Sequence, residues 1–514
     1  MSKKKTLGQY YTSPEIANFM VKLSSNKGKA LDSGCGKGVF IKELLSEGFS
    51  KIKAYEIDKD SCQVCNKKYG DEAEIINKDY LKTAGSEEFN LIIGNPPYVH
   101  WNNIPEKIRG FLTKNEFWSK YVNGEWDLLY AFIIWSIEKL KQGGELIYIV
   151  PYNWFNATYA ESLRDYMIKN GQFEIICHFS EFKLFDDCYP NNIIFKYRKT
   201  REKKKPLIFV FEYKKRKGDI KSILTSIKEE FKKIDHKSYE KEGENTKVFT
   251  MPNFKNKNMW YLATPTENKL INRIEKATGG VVLSDCLDIG VGMVSGRDEV
   301  FKIKDDELKG EFILSFIKAS NCERYRVNSG TKYLLVDDIK TESELKKHPV
   351  IYKRLKDNEE SLRNRYMSKT KNWWNWATVR NLKLFKDNLS EPKVFVPCID
   401  RSLKPRFSYT EGEYYGAGDV LTIVKKQGLK EDLKYVLAWL NSDYINKWYR
   451  VKGSRTGHRI RYTQSYVSRI PLRLINWDDK KEVEIHNRIV GLVDDVLMGG
   501  EREDEINQLF EELI

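Results

Sequence analysis

Residues 29–150 alternate strand-like and helix-like stretches, and that alternation constrains the fold more than any other feature. Lys29-Ala-Leu-Asp-Ser33 reads as a short buried strand, with a helix from Val39 to Leu45. Ile52 to Ile57 reads as a second strand and Asp60 to Tyr69 as a helix; Glu74 to Ile76 and Phe89 to Gly94 give two more strands. Trp126 to Leu140 is a long apolar helix, stopped by Gln142-Gly-Gly, before a fifth strand from Glu145 to Val150. Such alternation predicts an α/β fold with a mostly parallel sheet covered by helices on both faces. Phe173 to Phe179, Ile193 to Tyr197 and Leu207 to Tyr213 follow, with no full helix between the last two. They read as the antiparallel end of the sheet, closing on a charged hairpin whose turn carries Lys199, Arg201, Lys203, Lys204 and Lys205. That charge suits protection of a sheet edge or contact with phosphate.

A chain of 514 residues outgrows one hydrophobic core, so two or three domains are expected. The stretch from Asp219 to Lys247 is charged, helical and poor in apolar residues. A boundary there divides the chain into 1–250 and 251–514. The second part has short strand-like runs, many glycines and clusters of Trp, Tyr and Arg, and reads as a mixed α/β domain with a C-terminal helix.

With 41% hydrophobic and 31% charged residues the chain has enough apolar material to fold rather than stay disordered. Lys and Arg number 88 against 73 Asp and Glu, a formal charge of +15 that favours a polyanionic partner, nucleic acid before membrane. No apolar run reaches the roughly 18 residues of a membrane span. Met1-Ser-Lys-Lys-Lys-Thr lacks the apolar core of a signal peptide. Eight scattered cysteines in so long a chain fit a reduced cytoplasm rather than a disulfide framework. Cys62 and Cys65 have no second pair of ligands nearby, so they read as buried thiols on a helix face and no metal is expected.

Asp32-Ser-Gly-Cys-Gly-Lys-Gly38 joins the first strand to the first helix. Gly34, Gly36 and Gly38 permit a tight turn and a close approach of backbone to ligand. Glu56 ends the second strand, where a carboxylate can accept both ribose hydroxyls of an adenosine-containing cofactor. GK[ST] is absent, which excludes a phosphate-cradling P-loop. A dinucleotide site or a plain helix-initiating turn would use a similar loop. Asn95-Pro-Pro-Tyr98 directly follows the strand ending at Gly94. Its two prolines remove N–H donors, leaving carbonyl oxygens, an Asn side chain and an aromatic ring. Such a pocket suits a planar group that carries an NH2.

In their order these motifs resemble the gamma-class (Taq-type) DNA adenine-N6 methyltransferases of restriction–modification systems. Gly8-Gln-Tyr-Tyr-Thr-Ser-Pro-Glu15 is similar to their N-terminal cofactor motif, Asp32 to Gly38 to their glycine motif, and Asn95 to Tyr98 to their catalytic tetrapeptide. One departure is Ser33-Gly34, where Pro or Ala is expected nearby. The resemblance implies a Rossmann-like methyltransferase sheet in 1–250 and a target-recognition domain in 251–514. It implies S-adenosylmethionine as cofactor, held by Tyr11, Thr12, Asp32, Gly34, Gly36, Gly38, Glu56, Ile57, Asp79 and Asn95. Asn95 Oδ1 and the Pro96 carbonyl would accept the two protons of adenine N6, freeing its lone pair for in-line attack on the methyl group. The target base must leave the duplex to reach them. Tyr98 would stack on one face of it and Phe185 on the other, with Tyr189 as the fallback.

In the second half Gly290 to Phe301 resembles the start of the family's recognition domain, which makes Arg297 a candidate DNA contact. Trp374, in Trp373-Trp-Asn-Trp376 beside Arg380, suits a DNA surface or a packed cluster. Arg455, Arg459 and Arg461 lie in a Gly-rich basic loop and are further candidates. Double-stranded DNA is the expected partner of a monomer acting in a bacterial or archaeal cytoplasm, with any cognate endonuclease on a separate chain. Glu212-Tyr-Lys214 is a lone ExK without a preceding Pro-Asp, and the catalytic half begins at the N-terminus, so no fused nuclease is expected. Pro397-Cys398 superficially matches the cysteine of cytosine-C5 enzymes but reads as a core residue. N4-cytosine methylation shares the chemistry; Asn rather than Ser before the prolines favours adenine. Protein-glutamine methylation, or a degenerate DNA-binding fold, are the remaining rivals. The basic second half disfavours the former, and intact Asn95, Tyr98 and Glu56 the latter.

Overall fold

The strand Ala30–Asp32 (β1) lies inside a ten-stranded sheet, with both faces covered. In this computed structural model the described residues are 11–83, 87–122, 124–185, 191–202, 207–234, 238–304, 308–368, 370–456 and 459–514. Beside β1 run Ile52–Glu56 (β2), Glu74–Asn77 (β3), Phe89–Gly94 (β4) and Leu140–Pro151 (β5), in the order β3-β2-β1-β4-β5 and all parallel. The sheet continues through Gly171–His178 (β6), Asn192–Lys199 (β7), Leu207–Tyr213 (β8), Glu240–Glu242 (β9) and Thr246–Pro252 (β10), in the order β7-β6-β8-β10-β9.

Alternate residues of the central strands feed two separate cores, as a pleated strand requires. Ala30, Leu91, Ile93, Ile147 and Ile149 pack with Pro14–Lys22 (α1), Val39–Ser46 (α2) and Ile220–Lys233 (α7), named in chain order with the helices between. Leu31, Ile92, Leu146, Tyr148 and Val150 pack on the opposite face with Leu128–Lys139 (α5) and Glu161–Asn170 (α6). Lys59–Tyr69 (α3) buries Cys62 and Cys65, and Glu106–Lys114 (α4) follows β4. Helix α5 is apolar almost all round and is buried accordingly.

Three expectations change. The Trp126-to-Leu140 helix stops at Lys139, and Leu140 already pairs with Phe89 in β5; the register then jumps, so that Leu91 faces Glu145 and the glycines fall in the bulge. Strands β7 and β8 are not a hairpin: β7 inserts antiparallel between β5 and β6, while β8 pairs parallel with β6. A buried ion pair marks that insertion, since Glu145 on β5 lies directly opposite Arg198 on β7 at 2.8 Å, with Lys196 at 3.0 Å. Lys203, Lys204 and Lys205 lie outside the described residues. Lastly, the chain divides at Thr266/Glu267 rather than at 250/251. Strand β10 runs across the expected boundary, and Trp260 and Leu262 beyond it are buried in the first unit's core.

The second unit is mixed α/β. A five-stranded sheet orders Leu287–Val291, Val420–Lys425, Lys393–Pro397, Ser408–Thr410 and Tyr325–Arg326, packed with Leu433–Asn441, Lys480–Leu497 and Glu503–Leu513. A smaller three-stranded sheet carries the Phe316, Tyr333 and Trp376 core. No described helix is long and apolar enough to cross a membrane.

Candidate active site

The turn after β1 is held from beneath. Gly36 and Gly38 take positive φ, +53° and +88°. A Cβ at Gly38 would meet Tyr69 at 2.7 Å and Cys65 Sγ at 2.8 Å, so this glycine serves the packing of the loop on α3. Gly34 differs, because a Cβ there would meet nothing within 4 Å. Its free side opens into the cleft. Asp32 is wholly buried; Oδ1 accepts from Gly34 N at 3.2 Å, and Oδ2 has no hydrogen-bond partner among the described residues. Burial, with the nearby Glu56 charge adding to it, pushes the Asp32 carboxyl up to about 7 against the pull of the Gly34 N–H.

Glu56 ends β2 with both oxygens engaged: Oε2 accepts from Gly36 N and Oε1 from Asp58 N, each at 2.8 Å. The carboxylate therefore ties the glycine loop to the end of the neighbouring strand. Burial raises its pKa, and these two N–H groups oppose the rise. Asp79 caps the turn after β3, accepting from Leu81 N at 3.1 Å.

Asn95 leaves the C-terminal end of β4 half-buried, with its amide oriented by two neighbours. Nδ2 donates to Thr12 Oγ1 at 3.2 Å, and Oδ1 accepts from the Tyr98 hydroxyl. That hydroxyl also lies 2.8 Å from the Ile149 carbonyl of β5. Pro96 is buried. The Ser33 hydroxyl is 2.6 Å from the Tyr148 hydroxyl, which is 2.6 Å from Ser136, which is 3.1 Å from Tyr80. This buried chain gives the unexpected serine of the glycine loop a physical role: it fastens the loop to β5 and α5.

One cleft joins these parts. Tyr11, Gly34, Gly36, Glu56, Ile57, Asp79 and Asn95 all line it. Ser33, Lys78, Tyr80, Leu81, Pro97 and Val99 complete its wall, with Pro105 and Ile108 at α4 and Leu128 and Phe132 of α5. The apolar wall from α4 and α5 escaped the sequence reading because their residues look like any packed helix face. Three expected cofactor residues do not line the cleft: Asp32 lies buried behind the loop, Gly38 packs on α3, and Thr12 lines a neighbouring hollow. Phe185 lines that same hollow and is 6% exposed, packed in the α1/α2/α7 core. Gly8 to Tyr10 of the N-terminal motif, and Tyr189, lie outside the described residues.

The second-unit candidates separate. Trp374 is 4% exposed and its indole N–H donates to Ile339 O, so it is a core residue and no DNA contact. Trp373 and Trp376 are buried with it, while Arg380 is exposed. Arg297 is exposed, 3.6 Å from Glu299. Arg455, Arg459 and Arg461 belong to a three-stranded sheet, Ile399–Asp400, Arg459–Arg461 and Ser454–Thr456. All three are exposed, yet they do not form one row. Arg459 and Arg461 flank buried Ile460 and share the outer face with exposed Ile399, which is opposite Arg461. Arg455 is opposite Ile460 and so takes the other face.

Comparison with known proteins agrees with this layout. Residues 13–185 match the Eco57I restriction-modification methylase family, and residues 314–472 match the TaqI-like C-terminal specificity domain. The type II methyltransferase M.HindII of Haemophilus influenzae is 32% identical over 96% of this chain and 94% of its own length. The type II methyltransferase M.MjaIV of Methanocaldococcus jannaschii is 33% identical over 45% of this chain and 77% of its own. Among solved structures, the type IIL restriction-modification enzyme MmeI, determined in complex with DNA, superposes with a TM-score of 0.61 at 12% identity. That match covers 98% of this chain and 72% of MmeI, and shows a shared fold.

Proposed function

The chain belongs to the type II DNA methyltransferases of restriction–modification systems, and from that premise we propose that it transfers a methyl group from S-adenosylmethionine to N6 of an adenine flipped out of duplex DNA. The observation that carries this reading is that Asn95, at the end of β4, shares one cleft with Glu56, Asp79 and the open side of Gly34.

The donor set suits the cofactor. Glu56 would face the ribose hydroxyls and Asp79 the adenine end, along the apolar wall of Leu81, Leu128 and Phe132. Asp32, buried behind the loop, would act through Gly34, whose N–H its Oδ1 accepts, rather than by touching the cofactor. When bound, S-adenosylmethionine supplies an electrophilic methyl group on a sulfonium sulfur. The residues of the chain then act on the base. Asn95 Oδ1 has two lone pairs, so it can accept an N6 proton while still accepting from Tyr98. The Pro96 carbonyl would accept a hydrogen bond from the second N6–H; as the N6–CH3 bond forms, the S–CH3 bond would break with its electron pair going to sulfur, and N6 would then release one proton to solvent. Positive charge that develops on the nitrogen meets acceptor dipoles already fixed by Thr12, Tyr98 and the proline backbone, a preorganised stabilisation. Tyr98 packs with the core on one face of the sheet and Phe185 with the core on the other. Tyr98, beside Asn95, would stack on one face of the base, and Phe185 would reach the other from the hollow it lines with Thr12.

We read the second unit as the target-recognition domain and the first as the catalytic domain, the enzyme as a monomer acting on DNA in a bacterial or archaeal cytoplasm, and any endonuclease partner as a separate chain. The Glu212 carboxylate of the lone ExK run is 95% buried at 3.5 Å from His178 Nδ1, which supports a structural role for it. The test is mass analysis of nucleosides from duplex DNA incubated with isotopically labelled cofactor. N6-methyladenine is the expected product; label in N4-methylcytosine or in protein overturns the assignment.

A further inference from the structure

Two consecutive residues in the second unit have opposite surroundings. Arg365 is 9% exposed, and its nitrogens donate to the carbonyls of Leu362 at 2.9 Å, Ser295 at 2.6 Å, Trp373 at 2.7 Å and Asn375 at 2.9 Å. Its guanidinium also sits 5.3 Å from the Phe301 ring centroid. Desolvation of a guanidinium is costly, and here it secures backbone carbonyls from three separate stretches, with Met367 Sδ 3.9 Å from Nη2. The next side chain, Tyr366, is fully exposed, more so than any other large apolar side chain described. A backbone anchored at Arg365 thus projects the next residue's aromatic ring into water.

The same bonds bring a second stretch beside the anchored Arg365 side chain. The Arg365–Ser295 bond brings residues 294–297 alongside, and a Cβ on Gly296 would meet Arg365 Cδ at 3.1 Å. That stretch presents exposed Val294 and Arg297. The loop itself adds the hydroxyls of Ser368 and Thr370, 2.9 Å apart and both exposed. Tyr366 and these hydroxyls lie inside the region matched to the TaqI-like specificity domain, residues 314–472, and Arg297 lies before it in the chain. We propose that Tyr366 contacts duplex DNA, its ring packing on the face of a base unstacked where the bound duplex is distorted, with Arg297 at a neighbouring phosphate. Anchoring the neighbouring Arg365 in advance lowers the ordering cost of binding, and a ring on a base face is a contact that tolerates sequence. The proposal rests on the chain being a DNA methyltransferase and not on which base receives the methyl group.

The experiment uses the full chain and a duplex that the wild-type protein selects from a random-sequence pool, so it needs only binding. Tyr366→Ala is expected to weaken affinity about tenfold or more, with the melting temperature and the salt slope unchanged, because no charge is lost. Tyr366→Phe and Tyr366→Trp should bind near the wild-type level. Photo-crosslinking with 5-iodouracil scanned across the duplex should recover a peptide containing Tyr366. Affinity of Tyr366→Ala within twofold of wild type, or a change in self-association with duplex binding intact, overturns the proposal.

Discussion

The Tyr98 hydroxyl reaches Asn95 Oδ1 and the Ile149 carbonyl together, so that one phenolic proton serves the acceptor of the tetrapeptide and the backbone of the neighbouring strand. The aromatic residue therefore does more than offer a ring. It holds the Asn95 amide in one orientation, with Thr12 holding the other end. Asn95→Ala should lower kcat by about 100-fold or more, the scale seen when one preorganised polar group is removed, while cofactor affinity stays near normal. Tyr98→Phe keeps the ring and loses the orientation, so a smaller fall in kcat with unchanged duplex affinity is expected. Single-turnover methyl transfer checks both; transfer by Asn95→Ala within a few-fold of wild type shows that its amide oxygen is not the acceptor.

Glu56 holds Gly36 N and Asp58 N through both oxygens while lining the cleft. Glu56→Gln retains size but turns one acceptor into a donor facing an N–H. Cofactor affinity should fall at least tenfold, about 1.4 kcal/mol. Titration calorimetry reads this directly, and tight binding of NAD without binding of S-adenosylmethionine would refute the assignment of the cleft.

Asp32 predicts a pH dependence of the cofactor-free protein. Its carboxyl is pushed up to about 7 in the fold by burial, against about 3.9 in an unfolded chain. Below about pH 4 the group is neutral in both states. From there to pH 7 the folded protein keeps a proton that the unfolded chain has released, so stability falls as pH rises, and above pH 7 the loss is complete. Asp32→Asn removes this titration and can still accept from Gly34 N. Thermal melts at pH 5 and pH 8 should show a larger decline in the wild type than in the variant; equal declines would show that burial does not tune Asp32.

Arg459 and Arg461 share a sheet face that Arg455 does not. Arg459→Ala and Arg461→Ala should therefore behave alike, each making the salt dependence of duplex binding shallower by about one ion. Arg455→Ala should leave the slope unchanged. A relaxed preference at one base pair, with the slope intact, would instead mark base readout. Binding measured between low and moderate salt separates these outcomes.

Much of the first unit was legible in the sequence because its signals are local. A glycine loop between a strand and a helix, a carboxylate at the end of the next strand, and Asn-Pro-Pro-Tyr after β4 each depend on a few adjacent residues. A parallel sheet places all three at the same C-terminal edge. Family membership followed from the order of those motifs. The residues proposed to contact DNA carried no such signal. Trp374 and Tyr366 are eight positions apart in a stretch rich in aromatic and basic residues; one is buried and the other fully exposed.

What the sequence by itself determined is the class of fold, the glycine loop, Glu56 at the end of its strand and the tetrapeptide, since the period of apolar residues and the backbone demands of Gly and Pro act within a few positions. Tertiary structure alone decided the rest. It inserted β7 between β5 and β6, where Arg198 meets buried Glu145 across strands 53 residues apart. It split Arg455 from Arg459 and Arg461, because a residue's face in a sheet depends on its partner strand. It exposed Tyr366 by pinning Arg365 to carbonyls up to 70 residues distant. Long-range pairings of this kind are fixed by burial and hydrogen bonding in the folded state, and leave no local pattern in the chain that makes them.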